Sequence, residues 1–189
     1  MKVLLVTGER GVGKSTCVRR LRQALTASNI TRFKGYETDF AVAQEDARHL
    51  ICKPIGFEAA PFCVANQSIH PYRRIQPYPE AFRRMADLLE SIDPETECAY
   101  IDEIGFLETL DDRLQQSILT ALSRSVFSIA VIRLGDYPFL RKVKALYQGA
   151  VVELTAENRD RVYAETLFNI RTGPIHFSHK GHEKGVLKI

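Results

Sequence analysis

Three features that would indicate particular classes of protein are missing from this 189-residue sequence. No apolar run approaches the roughly 20 residues needed to cross a bilayer, so we do not expect a membrane protein. The charged residues are nearly balanced, with 26 Lys and Arg against 23 Asp and Glu. That small excess gives no reason to expect binding to nucleic acid or to a membrane surface.

Paired cysteines are also missing. The four cysteines are Cys17, Cys52, Cys63 and Cys98, and no two of them have C-x-x-C spacing. This spacing predicts reduced, mostly buried thiols in a cytoplasmic protein rather than a disulfide framework. The hydrophobic content of 45% and the charged content of 26% are typical of a globular protein. The length suits one domain with a small insertion.

Apolar strands alternate with amphipathic helices along most of the chain. Strands are predicted at residues 2–6, 33–37, 98–103, 126–132 and 150–154, and helices at 16–27, 79–92, 110–122, 138–147 and 157–170. This alternation predicts an α/β fold, with a mostly parallel sheet that is covered by helices on both faces.

Residues 40–69 depart from this alternation. Short apolar stretches at 41–42, 49–52 and 58–65 are separated by polar or Pro/Gly turns. We predict a small β-rich insertion at the edge of the sheet. The main domain is then expected to span residues 1–171, and the Gly/His/Lys-rich tail from 172 to 189 is expected to be loosely ordered.

The first predicted strand leads directly into G-x-x-x-x-G-K-S, a spacing typical of a phosphate-binding loop. Its glycines let backbone N–H groups approach an anion, and the following helix directs the positive end of its dipole at the same anion. Lys14 is the candidate catalytic cation for the β- and γ-phosphates, and Ser15 is a candidate Mg²⁺ ligand. The predicted nucleotide-binding residues of this loop are Gly8, Glu9, Arg10, Gly11, Val12, Gly13, Lys14, Ser15 and Thr16. The alternative is a Gly-rich turn that contains Lys and Ser by chance.

Two acids, Asp102 and Glu103, end a buried strand. Ligands of parallel α/β sheets bind at the carboxyl ends of the strands. We therefore predict that Asp102 holds Mg²⁺ opposite Ser15, and that Glu103 is the catalytic acid–base group that activates water. Glu108 is a candidate third carboxylate at the same rim. The alternative for the Asp-Glu pair is the N-terminus of a helix, which also favours acids.

Asn158 and Arg159 follow the last predicted strand, at the edge where a nucleobase commonly lies in such folds. They are candidate base-binding residues, although Asn158 could equally be a helix N-cap with Arg159 on the surface. Arg133 ends the preceding apolar strand and could sense the γ-phosphate or be a plain surface residue.

The sequence resembles the THEP-type nucleoside-triphosphatase family. The segments that carry the resemblance are G-E-R-G-V-G-K-S-T at 8–16, G-Y-E-T-D at 35–39, Y-P-E-A-F at 78–82, D-E-I-G-F-L-E at 102–108 and L-T-A-E-N-R-D at 154–160. The resemblance implies a three-layer P-loop NTPase fold. It also implies Mg²⁺-dependent hydrolysis of nucleoside triphosphates to diphosphates, with broad base tolerance.

Two segments depart from the family pattern. The family usually has an arginine shortly after T-[ED], where this chain has Phe40-Ala41-Val42. It also has R-x-G-F where this chain has Lys53-Pro54-Ile55-Gly56-Phe57. Two cationic contacts are therefore altered or displaced.

Two other functions stay open from the sequence. A nucleoside or nucleotide kinase shares the loop and the fold, and Arg73-Arg74 and Arg83-Arg84 could serve as its lid arginines. A nucleotide-controlled binding module would use slow hydrolysis only to time a partner interaction. In each case a nucleoside triphosphate is the expected partner and nucleic acid is not expected. A monomer is favoured.

Overall fold

The computed structural model describes residues 3–28, 32–44, 47–68, 74–95 and 97–172. These residues form one eight-stranded sheet and five α-helices. The strands are β1 (Val3–Gly8), β2 (Arg32–Gln44), β3 (Ala47–Ile55), β4 (Phe62–Ser68), β5 (Ile75–Pro77), β6 (Glu97–Ile104), β7 (Ser128–Ile132) and β8 (Val151–Leu154). The helices are α1 (Lys14–Ala27), α2 (Pro79–Glu90), α3 (Asp112–Arg124), α4 (Pro138–Leu146) and α5 (Arg159–Thr172).

The order of strands across the sheet is β5-β4-β3-β2-β6-β7-β1-β8. The half from β2 to β8 is parallel throughout, whereas β2, β3, β4 and β5 pair antiparallel. The predicted α/β architecture with a β-rich edge is therefore confirmed. The parallel half brings the carboxyl ends of β1, β6 and β7 to one edge, which is where the phosphate loop and the two acids lie.

Helices cover both faces of the parallel half because its central strands are apolar on both sides. In β1, Val3 and Leu5 pack into a core with buried residues of α2, α3 and α4, whereas Leu4 and Val6 pack into a second core with α1 and α5. Alternate residues of a strand point to opposite faces, so this division follows from the apolar sequence of β1. None of the described helices has both the length and the apolar composition that crossing a bilayer requires.

The β-rich edge is more regular than its sequence predicts. The predicted strands at 33–37 and 41–42 are parts of one strand, β2, which runs to Gln44. Beyond Glu37 this strand keeps its pairing with β3, from Glu37 opposite Lys53 to Val42 opposite Arg48. The polar residues there weaken the apolar signal but do not interrupt the backbone pairing. The predicted strand at 58–65 instead begins at Phe62.

Helix boundaries differ from the predicted ones by a few residues. At α3, which begins two residues later than predicted, Asp111 is the N-cap and its Oδ1 accepts a hydrogen bond from Leu114 N at 2.8 Å. The helix therefore begins after Asp111, and Leu107–Leu110 forms a separate 3₁₀ turn. At the other end of the domain, α5 extends to Thr172, and residues 173–189 of the predicted tail lie outside the described residues.

Candidate active site

The loop between β1 and α1 has the backbone conformation that its glycines predict. Gly8, Gly11 and Gly13 all have positive φ. A Cβ on Gly8 would lie 2.3 Å from the carbonyl oxygen of Leu154 on β8, so no side chain fits at this position. Gly13 precedes α1 and makes no side-chain cap. The first N–H groups of α1 therefore remain available for an anion.

Lys14 folds back over this loop. Its Nζ donates hydrogen bonds to the carbonyl oxygens of Gly8 and Glu9, each at 2.8 Å. Partial burial lowers the pKa of Lys14, while the nearby carboxylates of Glu103 and Asp102 oppose that shift. The ammonium group thus lies within the field of both acids at the end of β6.

Ser15 and Asp102 meet although 87 positions separate them in sequence. The Ser15 hydroxyl donates a hydrogen bond to Asp102 Oδ1 at 3.0 Å. Burial raises the pKa of Asp102 to about 7, and the hydrogen bond from Ser15 partly opposes this effect. Their oxygens are hard donors and fit Mg²⁺, which usually takes one or two carboxylates together with water and substrate phosphates. Within the described ranges no group of three or more His, Cys, Asp or Glu side chains could hold a metal ion. A metal here would therefore also need water and substrate phosphates as ligands.

Thr38 on β2 holds the end of β6 in place. Its Oγ1 donates a hydrogen bond to the backbone oxygen of Asp102 at 3.1 Å and accepts one from the backbone N–H of Glu103 at 3.3 Å. Thr38 thereby fixes the backbone of both acids. Thr38 belongs to the G-Y-E-T-D segment but had no predicted role of its own, because its hydrogen bonds depend on the pairing of β2 with β6.

Glu103, near the end of β6, forms an ion pair with Arg133. Glu103 Oε1 lies 3.4 Å from Arg133 Nη1, and both side chains are partly exposed. Arg133 follows β7, where its backbone N–H donates to the carbonyl oxygen of Ile104 at 3.0 Å. The end of β7 therefore brings a cation to the carboxylate that was predicted to activate water.

Glu108 is buried at the base of the same site. Its Oε2 accepts a hydrogen bond from the backbone N–H of Gly105 at 2.7 Å, so it closes the turn after β6. Burial raises the pKa of Glu108 to about 7, from an ordinary value of 4.5. Glu108 therefore keeps its proton in the folded protein at pH values where an unfolded chain has lost it.

This difference predicts a pH-dependent stability. Since the pKa is higher in the folded state, the stabilisation is fully present below pH 4.5 and is lost as the pH rises through 7. We expect the wild type to lose about 3 kcal/mol of unfolding free energy relative to Glu108→Gln between pH 4 and pH 8. The measurement is urea denaturation across that range. Glu95→Gln, which changes an exposed carboxylate, should show no such trend. Parallel curves for the wild type and Glu108→Gln would contradict the burial of an ionisable group.

A cavity of about 530 Å³ joins these groups. Seven residues predicted from the sequence to belong to the site line it: Gly8, Glu9, Arg10, Lys14, Ser15, Asp102 and Glu103. Arg133 and Glu108, which were weighed as candidates, line it too, as does Thr38. Gly11, Val12, Gly13 and Thr16 belong to the loop and the start of α1 but do not line the cavity.

Asn158 and Arg159 are not brought into the cavity. The Asn158 side chain closes the turn between β8 and α5: its Oδ1 accepts from Thr155 N at 2.8 Å and its Nδ2 donates to the Glu153 carbonyl at 2.9 Å. Arg159, the first residue of α5, is exposed. Their role in base binding stays a prediction.

The β-rich edge supplies the opposite wall of the cavity. This wall is formed by Phe40, Arg48, Leu50, Gln67 and Ile75, and we call the part of the cavity that they line the distal compartment. The guanidinium of Arg48 lies over the ring of Phe40, one of the three residues that stand where the family pattern usually has an arginine. These residues share no motif in the sequence, because only the antiparallel pairing of their strands brings them together.

Comparisons with known proteins bear on the whole domain. The "Nucleoside-triphosphatase THEP1" proteins of Thermotoga sp. strain RQ2 and of Thermotoga maritima are each 24% identical over 168 residues, covering 87% of this chain and 92% of theirs. The crystal structure of THEP1 from Aquifex aeolicus matches with a TM-score of 0.66 at 22% identity, over 87% of this chain and 96% of that one, which shows a common fold. The model of the family described as NTPase matches residues 3–167. The chain therefore belongs to the NTPase family, as its motifs predicted.

Proposed function

We propose that the protein is a Mg²⁺-dependent nucleoside-triphosphate phosphohydrolase that produces a diphosphate and phosphate with broad base tolerance. The observation that carries this proposal is the 3.0 Å contact between Ser15 and Asp102. It puts two oxygen atoms that would suit a metal–phosphate site side by side, and both residues line the same cavity as Glu103. The related proteins named nucleoside-triphosphatases support the reaction type.

The phosphate loop is proposed to bind the triphosphate. Backbone N–H groups of residues 8–16 and the N-terminus of α1 would contact the phosphates. Lys14 now donates to two loop carbonyls, and those bonds would be exchanged for bonds to the β- and γ-phosphates. Because Lys14 is already held over the loop, little side-chain freedom is lost on binding.

Ser15 and Asp102 are proposed to hold Mg²⁺ together with the substrate. A divalent cation held there would neutralise charge on the phosphates of the substrate. Burial of Asp102 excludes water from one side of the carboxylate, and Thr38 keeps its backbone in register with β2. A carboxylate whose pKa is raised by burial favours a cationic partner over ionising alone.

Glu103 is proposed to activate the attacking water. The water oxygen would form a bond to the γ-phosphorus, the bond from that phosphorus to the bridging oxygen would break, and the proton of the water would pass to Glu103. Arg133 lies 3.4 Å from Glu103 and lines the same cavity, so it could orient the carboxylate and share the charge of the transferred group.

Broad base tolerance is supported by the β8–α5 turn. Both polar ends of the Asn158 amide are used within the turn, so the amide has little capacity left to read the edge of a base. Arg159 is proposed to contact the base by stacking, which discriminates weakly between bases. The protein is further proposed to act without nucleic acid, in line with its near-neutral charge balance, and in the cytoplasm, in line with its four free cysteines. A monomer is proposed as its oligomeric state.

The decisive experiment is phosphate release as a function of Mg²⁺ concentration. We expect no activity in excess chelator and recovery with Mg²⁺ or Mn²⁺. Asp102→Asn should raise the Mg²⁺ concentration for half-maximal activity by about tenfold or more, because an amide replaces a charged ligand. Asp39→Asn is the matched control, since Asp39 also lines the cavity but pairs with Lys53 rather than with Ser15.

Two results would contradict the metal assignment. One is full activity of the wild type in excess chelator. The other is an Asp39→Asn variant whose metal dependence shifts as much as that of Asp102→Asn, because the shift would then reflect total charge in the cavity rather than a ligand.

A further inference from the structure

The cavity offers more space beyond the γ-phosphate than hydrolysis of a triphosphate needs. Hydrolysis needs room there for one water, whose share of liquid volume is roughly 30 Å³. The whole cavity has about 530 Å³, and its lining includes Lys14, Asp102 and the residues of the distal compartment. The phosphate loop lines one part of this space, and the distal compartment is the part that the triphosphate and the attacking water leave for a second small molecule.

The distal compartment combines apolar side chains with a few polar groups. Phe40, Leu50 and Ile75 provide the apolar part, and Arg48 and Gln67 provide the polar part. Ligand sites are typically built this way, with apolar contact area and a small number of placed hydrogen-bonding groups. The compartment is therefore suited to a planar ring that carries an anionic group.

Arg48 is held in position without a carboxylate partner. Its Nε donates a hydrogen bond to Gln67 Oε1 at 2.8 Å, and its guanidinium carbon lies 4.3 Å from the centroid of the Phe40 ring. In the described part of the chain, no Asp or Glu oxygen lies within 4.0 Å of Arg48, whereas Arg133 pairs with Glu103 and Lys53 with Asp39. The terminal N–H groups of Arg48 thus remain available for a phosphate.

The position of the compartment relative to the phosphate loop indicates which end of the triphosphate it faces. Lys14, Ser15 and Asp102 are the groups that contact the β- and γ-phosphates and their cation in this class of site. Across the sheet the strands follow in the order β1-β7-β6-β2-β3-β4-β5, so Asp102 on β6 lies between the phosphate loop after β1 and the distal compartment on β2 to β5. Since the nucleoside is attached at the α-phosphate, a molecule in the compartment lies beyond the γ-phosphate. That is where a nucleophile must approach for in-line displacement.

We propose that the distal compartment binds a nucleoside monophosphate as a phosphoryl acceptor, so that this protein transfers the γ-phosphoryl group to it as well as to water. Arg48 contacts the acceptor phosphate, and the apolar wall contacts the base. The proposal rests on the proposed function, because it uses the same bound triphosphate.

The transfer balances without any further reactant. An oxygen of the acceptor phosphate forms a bond to the γ-phosphorus, and the bond from that phosphorus to the bridging oxygen of the triphosphate breaks. The donor leaves as a nucleoside diphosphate and the acceptor becomes one. A proton on the attacking oxygen passes to Glu103 and from there to solvent, and no atom is oxidised or reduced.

The first test follows the γ-phosphoryl group. ATP labelled with ³²P at the γ-position is incubated with the enzyme, Mg²⁺ and AMP, GMP, CMP or UMP, and label is measured in nucleoside diphosphate and in inorganic phosphate. We expect Arg48→Ala to lower transfer about tenfold or more, because a charge-assisted contact is lost, and to leave hydrolysis within about twofold.

Arg84→Ala is the matched control. Arg84 on α2 also lies over a phenylalanine ring, with its guanidinium carbon 3.9 Å from the centroid of Phe62. It was a candidate lid arginine in the sequence, but neither Arg84 nor Phe62 lines the cavity, so Arg84 is not placed to contact the acceptor. Its removal should leave both transfer and hydrolysis unchanged. An equal loss of transfer in Arg84→Ala would overturn the assignment to Arg48.

The second test measures binding of the monophosphate by calorimetry in the presence of a saturating non-hydrolysable triphosphate analogue. We expect one monophosphate per chain in the wild type and binding about tenfold weaker in Arg48→Ala. Binding of inorganic phosphate or of adenosine as tight as that of AMP would overturn the proposal, as would failure of every monophosphate to bind. Hydrolysis without transfer would overturn the acceptor subsite alone, whereas loss of hydrolysis and of triphosphate binding would contradict the proposed function itself.

Discussion

Lys14→Ala is expected to lower nucleoside-triphosphate hydrolysis by ~10²-fold or more, because it removes a transition-state cation that contributes several kcal/mol. The geometry supports a large effect. The Lys14 ammonium already lies 2.8 Å from two carbonyl oxygens of the loop, and alanine leaves no other cation at that position. Arg10, which also lines the cavity, lies on the exposed part of the loop and cannot substitute for it.

The fold should survive this substitution. The apolar core of α1 consists of Cys17, Val18, Leu21 and Leu25, and alanine is a good helix former at the first position of the helix. Circular dichroism and thermal unfolding establish that the variant is folded before phosphate release is measured. Lys142→Ala, which removes an exposed lysine of α4, is the control and should keep wild-type activity. A folded Lys14→Ala variant with near wild-type hydrolysis would contradict the assignment of the phosphate loop.

The parallel half of the fold was predictable because its signals are local. Strand β1, the glycine-rich loop and α1 follow one another within 27 residues. The strand and the helix are each recognised by their apolar pattern, and the loop is recognised by the spacing of its glycines. The apolar, β-branched sequence of β7 likewise predicts a strand covered on both faces, and all five of its residues are buried. In such segments the tertiary structure agrees with local preference.

The antiparallel edge was less predictable because its order depends on pairing between strands. Thr38, Asp39 and Phe40 continue β2 only because they lie opposite Cys52, Ile51 and Leu50 on β3. A sequence read one segment at a time therefore ends the strand too early. The same limitation hid the contact between Phe40 and Arg48, since the two residues are not opposite partners in this register but diagonal neighbours.

Residues of the candidate site divide in the same way. The loop with Lys14 and Ser15 and the Asp102-Glu103 pair are short motifs, and the topology of a parallel sheet is enough to expect them at one edge. Thr38 and Glu108 also lie within short motifs, but the bond of Thr38 to the backbone of β6 and the burial of Glu108 depend on strand pairing and packing. Asn158 shows the opposite case: its position in sequence suggested a base contact, and its hydrogen bonds instead close a turn.

Glu103→Gln is expected to separate binding from catalysis. Glutamine keeps the size of the side chain but cannot accept the proton of the attacking water. The variant should therefore bind triphosphate and Mg²⁺ with wild-type affinity and lose hydrolysis by roughly 10²–10⁴-fold, the contribution typical of a general base. Binding of labelled triphosphate and phosphate release, measured on the same sample, test both parts of this expectation.

The ion pair of Glu103 with Arg133 makes a matched control necessary, because glutamine also removes the partner charge of Arg133. Glu80→Gln breaks a comparable pair with Arg83, whose Nη1 lies 2.7 Å from Glu80 Oε2 on the exposed face of α2. This control should leave hydrolysis unchanged, which would show that loss of a Glu–Arg pair is not sufficient to abolish activity. If Glu103→Gln hydrolyses triphosphate at the wild-type rate, activation of water must instead depend on Glu108 or on backbone groups. If it no longer binds triphosphate, Glu103 holds the site together rather than accepting a proton. Only retained binding with lost hydrolysis agrees with a general base at the end of β6.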